Sequence, residues 1–389
     1  MSQKVNPELI EEIRKFGAFD ITACFNCGNC TAVCPLSMED AAFPRRLIRY
    51  AHLGLEDKLL DKKEVWLCYY CGKCSETCPR EAEPGEFMAA ARRYAIARSD
   101  VTGLTRFLYK SRLFNFLFTA LLACFFALFI YAHRVPLGAG KTTIEVFHIP
   151  FRLIHEIGIG VIVFAAVAFL IGLVRMSLRV FDRKEVVRLI RENPAVNKHF
   201  RWVADVVHAA LTTVFREAVA FKRYRDCDAE EPQPPLLLRP WFLHASVAWG
   251  FVGLLLATVL DYFFKNPEAR VPVWYPPRMI GTICGLLLVY GTSVIILNRL
   301  RRKGKRYANG TFSDWWFLLL LWVVGVCGFA LEILDYLPRV PSSVADTLFV
   351  VHVAPAMVLV LLAAFTKLAH VFYRPLALFF YGLRENLKS

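Results

Sequence analysis

Eight cysteines near the amino terminus fall into two copies of one pattern: Cys24, Cys27, Cys30 and Cys34 before Pro35, then Cys68, Cys71, Cys74 and Cys78 before Pro79. Three thiolates at this spacing can close on three irons of one 4Fe-4S cube. The fourth, followed by a proline that turns the chain away, reaches the neighbouring cube. The pattern therefore predicts two 4Fe-4S clusters, one held by Cys24, Cys27, Cys30 and Cys78, the other by Cys68, Cys71, Cys74 and Cys34. Zinc would use two separated CxxC pairs and leave the middle cysteine and the proline of each run without a purpose. Disulfides belong to oxidising compartments, and the opening MSQKVNPELIEEIRK reads as a polar helix rather than a targeting segment.

Histidine supplies the second candidate chemistry. His155, His244, His352 and His370 fall in long apolar segments, where an ionisable side chain is costly and points to function. His352 and His370 are 18 residues apart. On one unbroken helix that is five whole turns, which would put both rings on one face roughly 27 Å apart. Paired with histidines at matching depth, each could clamp one haem b between facing helices. Interfacial anchoring or a helix–helix hydrogen bond is the plainer reading of the same residues. His199 and His208 lie beside a stripe, Val196, Phe200, Val203, Val207, Ala210 and Val214, that reads as an interfacial helix or docking surface.

These residues need elements to position them, and composition divides the chain in two. Residues 1–110 are polar and nearly charge-balanced, with 16 Lys+Arg against 15 Asp+Glu. Beyond them, six segments near 114–132, 153–174, 241–264, 279–298, 315–337 and 345–373 are long and apolar enough to span a bilayer. Six crossings return both termini to one side. Segments 175–240, 299–306 and the tail from 367 carry 13, 6 and 4 Lys+Arg, whereas 133–152, 262–278 and 338–344 carry 3, 3 and 1. The cysteine region and both termini are thus expected on the cytoplasmic face of the inner membrane. The same asymmetry accounts for the net charge of +14 without a nucleic-acid partner. Depth then pairs His244 with His370 on the inner side and His155 with His352 on the outer side, with His148 and His133 as substitutes for His155.

Between the two cysteine runs, FPRRLIRYAHLG reads as a helix opened by Pro44 and stopped by Gly54, and another helix is expected from Gly85 through FMAAARRYAIARS. Period-two alternation is hard to find, so the chain reads as all-α. The expected architecture is a helical, ferredoxin-like two-cluster domain over 1–110 fused to a six-helix transmembrane haem b domain over 111–389, with a cytoplasmic amphipathic loop near 175–240.

The stretches CFNCGNCTAVCP, FPRRLIRYAHLGL and VWLCYYCGKCSETCPREAEPGEFMAAARRYAIA resemble the QmoC family, the membrane subunits of the quinone-interacting membrane-bound oxidoreductases of sulfur-metabolising prokaryotes. That family is similar to a fusion of the small iron-sulfur and the membrane cytochrome subunits of heterodisulfide reductase. The likeness runs the whole length and is most specific over residues 20–100. The membrane half is similar to the γ-subunit of respiratory nitrate reductase, whose last crossing bears two histidines matching His352 and His370. An earlier crossing there bears two more; the first matches His244 and the second falls on Leu254, which cannot ligate iron. The distal haem would then use His155 or another residue, or be missing, leaving one haem instead of two.

The resemblance implies a membrane subunit that exchanges electrons between menaquinone and soluble flavin and iron-sulfur subunits similar to heterodisulfide reductase A, and through them adenylylsulfate reductase. Direction would depend on the organism. Glu332, Asp335 and Asp261, toward the outer ends of crossings five and three, are candidates for proton exchange with quinone, ordinary interfacial acids being the plainer reading. Disulfide reduction within the chain is not expected. In the related enzymes it needs a separate cysteine-rich domain, and only Cys124, Cys227, Cys284 and Cys327 remain here, without a paired CCG motif. Two rivals stand beside this reading: a membrane cytochrome of another heterodisulfide reductase-like complex with different partners, and a haem-free membrane anchor for an iron-sulfur domain.

Overall fold

Runs of leucine, phenylalanine and alanine without strand alternation fold as helices. The computed structural model describes residues 4–37, 42–134, 143–144, 149–180, 207–208, 210–211, 213–227, 234–264, 272–336 and 341–386. Among the described residues the one sheet is a two-residue antiparallel pair, β1 (Thr143–Ile144) with β2 (Ile149–Pro150). The chain is all-α, as its periodicity predicts.

The amino-terminal part is built of short helices: α1 (Leu9–Arg14), α2 (Asn29–Ala32), α3 (Arg45–His52), α4 (Glu56–Leu60), α5 (Glu64–Leu67) and α6 (Lys73–Glu76). They wrap the longer α7 (Pro84–Ser99), and α8 (Leu104–Lys110) leads out of this part. Pro44 opens α3 and Gly54 follows its end, as expected. Because α7 is covered on several sides, Phe87, Met88, Ala90, Ala91, Tyr94 and Ile96 are all buried. Each of the larger ones contributes roughly 1.5–3 kcal/mol of transfer free energy.

Six helices are long and apolar enough to cross a membrane, by length and composition: within α9 (Arg112–Ala132), α10 (Phe151–Val180), α12 (Pro240–Phe264), α13 (Pro276–Leu300), α15 (Phe312–Tyr336) and α16 (Ser342–Leu361). Between 17% and 39% of each apolar stretch is buried inside the chain. Leu121, Leu128, Val163, Leu170 and Phe263 are among the large apolar side chains left outside, as suits helices that face lipid. Helices α12 and α13 lie closest. A methyl group at Gly250 would stand 2.7 Å from the Cys284 carbonyl oxygen, and one at Gly253 would strike the Cys284 sulfur. Small residues permit such backbone approach where no water-driven attraction holds helices together.

The last apolar segment departs from expectation. Its hydropathy predicts one helix through residue 373, but α16 ends at Leu361, a turn and a 3₁₀ stretch (Lys367–Ala369) intervene, and α17 (His370–Asn386) starts afresh. His352 and His370 therefore occupy different helices rather than five turns of one. The break has a physical cause. Extended backbone at Thr366 (φ −113°, ψ −167°) turns Lys367 onto the buried carboxylate of Asp314 at 2.9 Å, beside Arg93 at 2.6 Å, and a buried charge persists only when paired.

Of the amphipathic stripe, Val196, His199, Phe200 and Val203 lie outside the described residues, as does His148; Val207 and His208 are exposed. The chain then runs through a π-helical turn (Val214–Val219) into α11 (Lys222–Cys227), and α14 (Lys305–Ala308) links α13 to α15.

Candidate redox centre

Each cysteine run folds the same way for a local reason. The residue before the second cysteine and the glycine after it both take left-handed backbone: Asn26 (φ 60°) and Gly28 (φ 98°) in the first run, Tyr70 (φ 59°) and Gly72 (φ 93°) in the second. The chain thereby curls around its own sulfurs. It points the Asn26 amide at Cys24 Sγ (3.4 Å), the Tyr70 amide at Cys68 Sγ (3.3 Å) and the Ala82 amide at Cys78 Sγ (3.4 Å). The glycine caps the short helix that carries the third cysteine, α2 in one run and α6 in the other.

The thiols gather in two groups. Cys24 and Cys30 feel Cys27 and Cys78, whereas Cys34 feels Cys68 and Cys71, and Cys74 feels those two most strongly of all the cysteines near it. Cys34, Cys68, Cys71 and Cys74 line one small cavity with Tyr69, Tyr70 and Cys227. Burial pushes the Cys30 and Cys34 thiols up to about 11, so an incoming metal must displace protons to bind them. No three His, Cys, Asp or Glu side chains among the described residues converge as ligands of a single ion would. A cube binds each cysteine through a different iron, so its thiols stand apart around an open centre.

The histidines divide as follows. His244 on α12 and His370 at the start of α17 come together with ring centroids 6.2 Å apart and planes at 33°. They line a cavity of about 500 Å³, within the usual range for a small-molecule site. Its wall includes Tyr69, Tyr70, Arg92, Arg299 and Arg374. Phe221 and Tyr224 meet the edge of His244 at 5.3 and 5.4 Å, and Tyr224 stacks on Tyr69 at 4.7 Å. The Nδ1–H of His370 donates to the Lys367 carbonyl. His352 donates from Nδ1 to the Val324 carbonyl at 2.9 Å and lies over Gly328. His155 stacks on Tyr262, centroids 5.0 Å apart. His133 is bonded to the Phe129 carbonyl.

Of the acids singled out, Glu332 accepts from Thr282 Oγ1 at 2.7 Å and faces Arg278 at 3.6 Å; the side chain of Asp335 lies outside the described residues. Sequence reasoning missed the collar of Tyr69, Phe221 and Tyr224. Its members come from separate segments, and no local spacing marks them. The glycine after the second cysteine of each run was the available signal for the shared backbone curl.

Residues 20–82 match a family described as the 4Fe-4S dicluster domain. This is a 4Fe-4S iron-sulfur protein. Over 63 residues it is 33% identical to the small iron-sulfur chain of the H(2):CoB-CoM heterodisulfide,ferredoxin reductase of Methanothermobacter thermautotrophicus, covering 16% of this chain and 34% of that one. Over 73 residues it is 31% identical to the corresponding iron-sulfur chain of the CoB--CoM heterodisulfide reductase of Methanopyrus kandleri, covering 17% and 38%. A longer match, 27% identical over 205 residues and 52% of each chain, is to citrate utilization protein B of Escherichia coli. The chain thus spans about half the length of that relative and roughly a third of the two heterodisulfide reductase chains. No solved structure matches. It is an electron-transfer chain related to the iron-sulfur component of heterodisulfide reductase, carrying helices apolar enough for a membrane.

Proposed function

We propose that the chain is the membrane subunit of a quinone-linked oxidoreductase. It exchanges electrons between menaquinone and soluble partners on the cytoplasmic face, with haem b and two 4Fe-4S clusters as its carriers. The observation that carries this reading is a shared wall: Tyr69 and Tyr70 line both the cavity of His244 and His370 and the cavity of Cys34, Cys68, Cys71 and Cys74. Two redox sites on either side of one pair of aromatic residues suit electron exchange between them.

The residues fit a haem between His244 and His370. Imidazoles on opposite sides of one metal, each bonded at about 2 Å, hold their ring centroids roughly 6 Å apart, and these two stand at 6.2 Å. Arg299 lines the same cavity, and its Nε and Nη1 are buried without a hydrogen-bond partner among the described residues, which suits the carboxylates on a haem edge. Bound there, a haem b supplies a one-electron carrier beside the second cluster. His370 is fixed by its Nδ1–H bond, which leaves Nε2 as the ligand nitrogen. His352 is fixed in the same way and is assigned to an outer haem, with His155 as its partner. The cysteines are assigned in the crossed pattern, Cys78 to the first cluster and Cys34 to the second.

The cytoplasmic side is supported by the basic segment 299–306. It meets the cysteine region through Lys305 and Glu83 at 2.7 Å. The partners proposed are soluble flavin and iron-sulfur subunits similar to heterodisulfide reductase A, and adenylylsulfate reductase beyond them. Proton exchange with quinone is assigned to the outer acids Glu332, Asp335 and Asp261. The 205-residue match to citrate utilization protein B favours a second reading, the same carriers with other partners. The test is a dithionite-reduced minus oxidised optical spectrum of the purified protein, with pyridine haemochrome quantitation against protein. Two haems b per chain are expected; one supports the His244–His370 site alone, and none overturns the haem reading in favour of an anchor. Subunits that co-purify decide between the two sets of partners.

A further inference from the structure

Cys227, at the end of α11, is 2% exposed. It is far in sequence from both cysteine runs, yet it lines the cavity formed by Cys34, Cys68, Cys71 and Cys74. It packs in one small core with Tyr69, Phe221, Tyr224 and Ala245, against which Cys71 also rests. The cysteines that act on its thiol are, in order, Cys71, Cys68 and Cys34. Five cysteines therefore surround a centre where one cube takes four. A cysteine acting only as a small hydrophobe needs an apolar niche; it has no need of four other sulfurs in the same wall.

We propose that Cys227 is an exchange ligand of the second cluster, able to take the iron that Cys71 holds. The inference rests on the cluster assignment proposed above. In the exchange the iron–sulfur bond to Cys71 breaks as the bond to Cys227 forms. The Cys227 thiol gives up its proton, the Cys71 thiolate takes one up, and no electron moves. Cys71 is the member exchanged because it alone of the four packs against the core that holds Cys227. With Cys227 bound, the cluster is tethered to the segment that also carries the aromatic collar of His244.

The experiment compares the full chain carrying Cys71→Ala with the double variant Cys71→Ala/Cys227→Ala. Iron content and the EPR spectrum of the reduced protein are read for each. The single variant is expected to keep about eight irons per chain, with an altered signal from the second cluster; the double should fall to about four. The first cluster's signal, retained in both, reports a folded chain. About four irons in the single variant, as in the double, would overturn the exchange. Should the Cys71 variants lose both clusters, Cys227→Ala alone decides the matter. An iron chelator is expected to strip half the iron at least several-fold faster than from the unaltered chain, and equal rates would refute the proposal. Fewer than about eight irons in the unaltered chain would sink the cluster assignment itself, a separate failure.

Discussion

A backbone amide bonded to a ligand sulfur draws charge from it and helps set a cluster's potential. The three such bonds here go to Cys24, Cys68 and Cys78. The third is the informative one, because Cys78 follows the second run in sequence but sits among the thiols of the first. Replacing Cys78 by Ser is expected to abolish the EPR signal of the first run's cluster while the other persists; loss of the second run's cluster alone would contradict the crossed assignment. Replacing His370 by Ala is expected to remove the inner haem with both cluster signals retained, and full haem content by haemochrome assay would refute the pairing. Ligand residues were legible in the sequence because cluster spacing is local, and the meeting of His244 with His370 followed from depth alone. The neighbours of those residues were not legible. That Arg374 lies over Tyr69 at 3.2 Å, and that Tyr224 stacks on the same ring, depends on contacts between segments far apart in the chain.

Helices show a similar division. Hydropathy located all six apolar helices, since length and composition suffice for that. It missed the interruption after Leu361, because the intervening residues Leu362, Ala363, Ala364 and Phe365 do not mark a stop, leucine and alanine being among the best helix formers. What breaks the helix is tertiary. Lys367 and Arg93 converge on Asp314, whose side chain is 4% exposed. Asp314→Asn leaves two buried cations without their counter-charge, a loss on the order of 3–5 kcal/mol for a buried network. Thermal unfolding of the variant in detergent should show a clearly lowered midpoint, and an unchanged midpoint would mean that the ion pairs do not hold the break in place.

Taken as one molecule, the cysteine region and the apolar bundle share an extensive seam. Arg374 donates to the Trp66 and Leu67 carbonyls at 2.6 and 3.0 Å, Arg384 pairs with Asp61 at 2.9 Å, and Arg93 reaches from α7 to Asp314 on α15. The basic segment 299–306 lies at that seam, with Lys305 on Glu83, so the side of the membrane that holds this segment also holds the cysteines. A protease added to inside-out vesicles is expected to reach the cysteine region, whereas in right-side-out vesicles that region should stay protected. The opposite pattern would reverse the orientation. The seam also sets an order of manufacture. The segment that clamps the early cysteine region, α17, is synthesised after every other described helix. During translation the eight thiols therefore remain open to the cell's iron-sulfur delivery proteins, and α17 closes over them last, sealing cargo that has already been loaded.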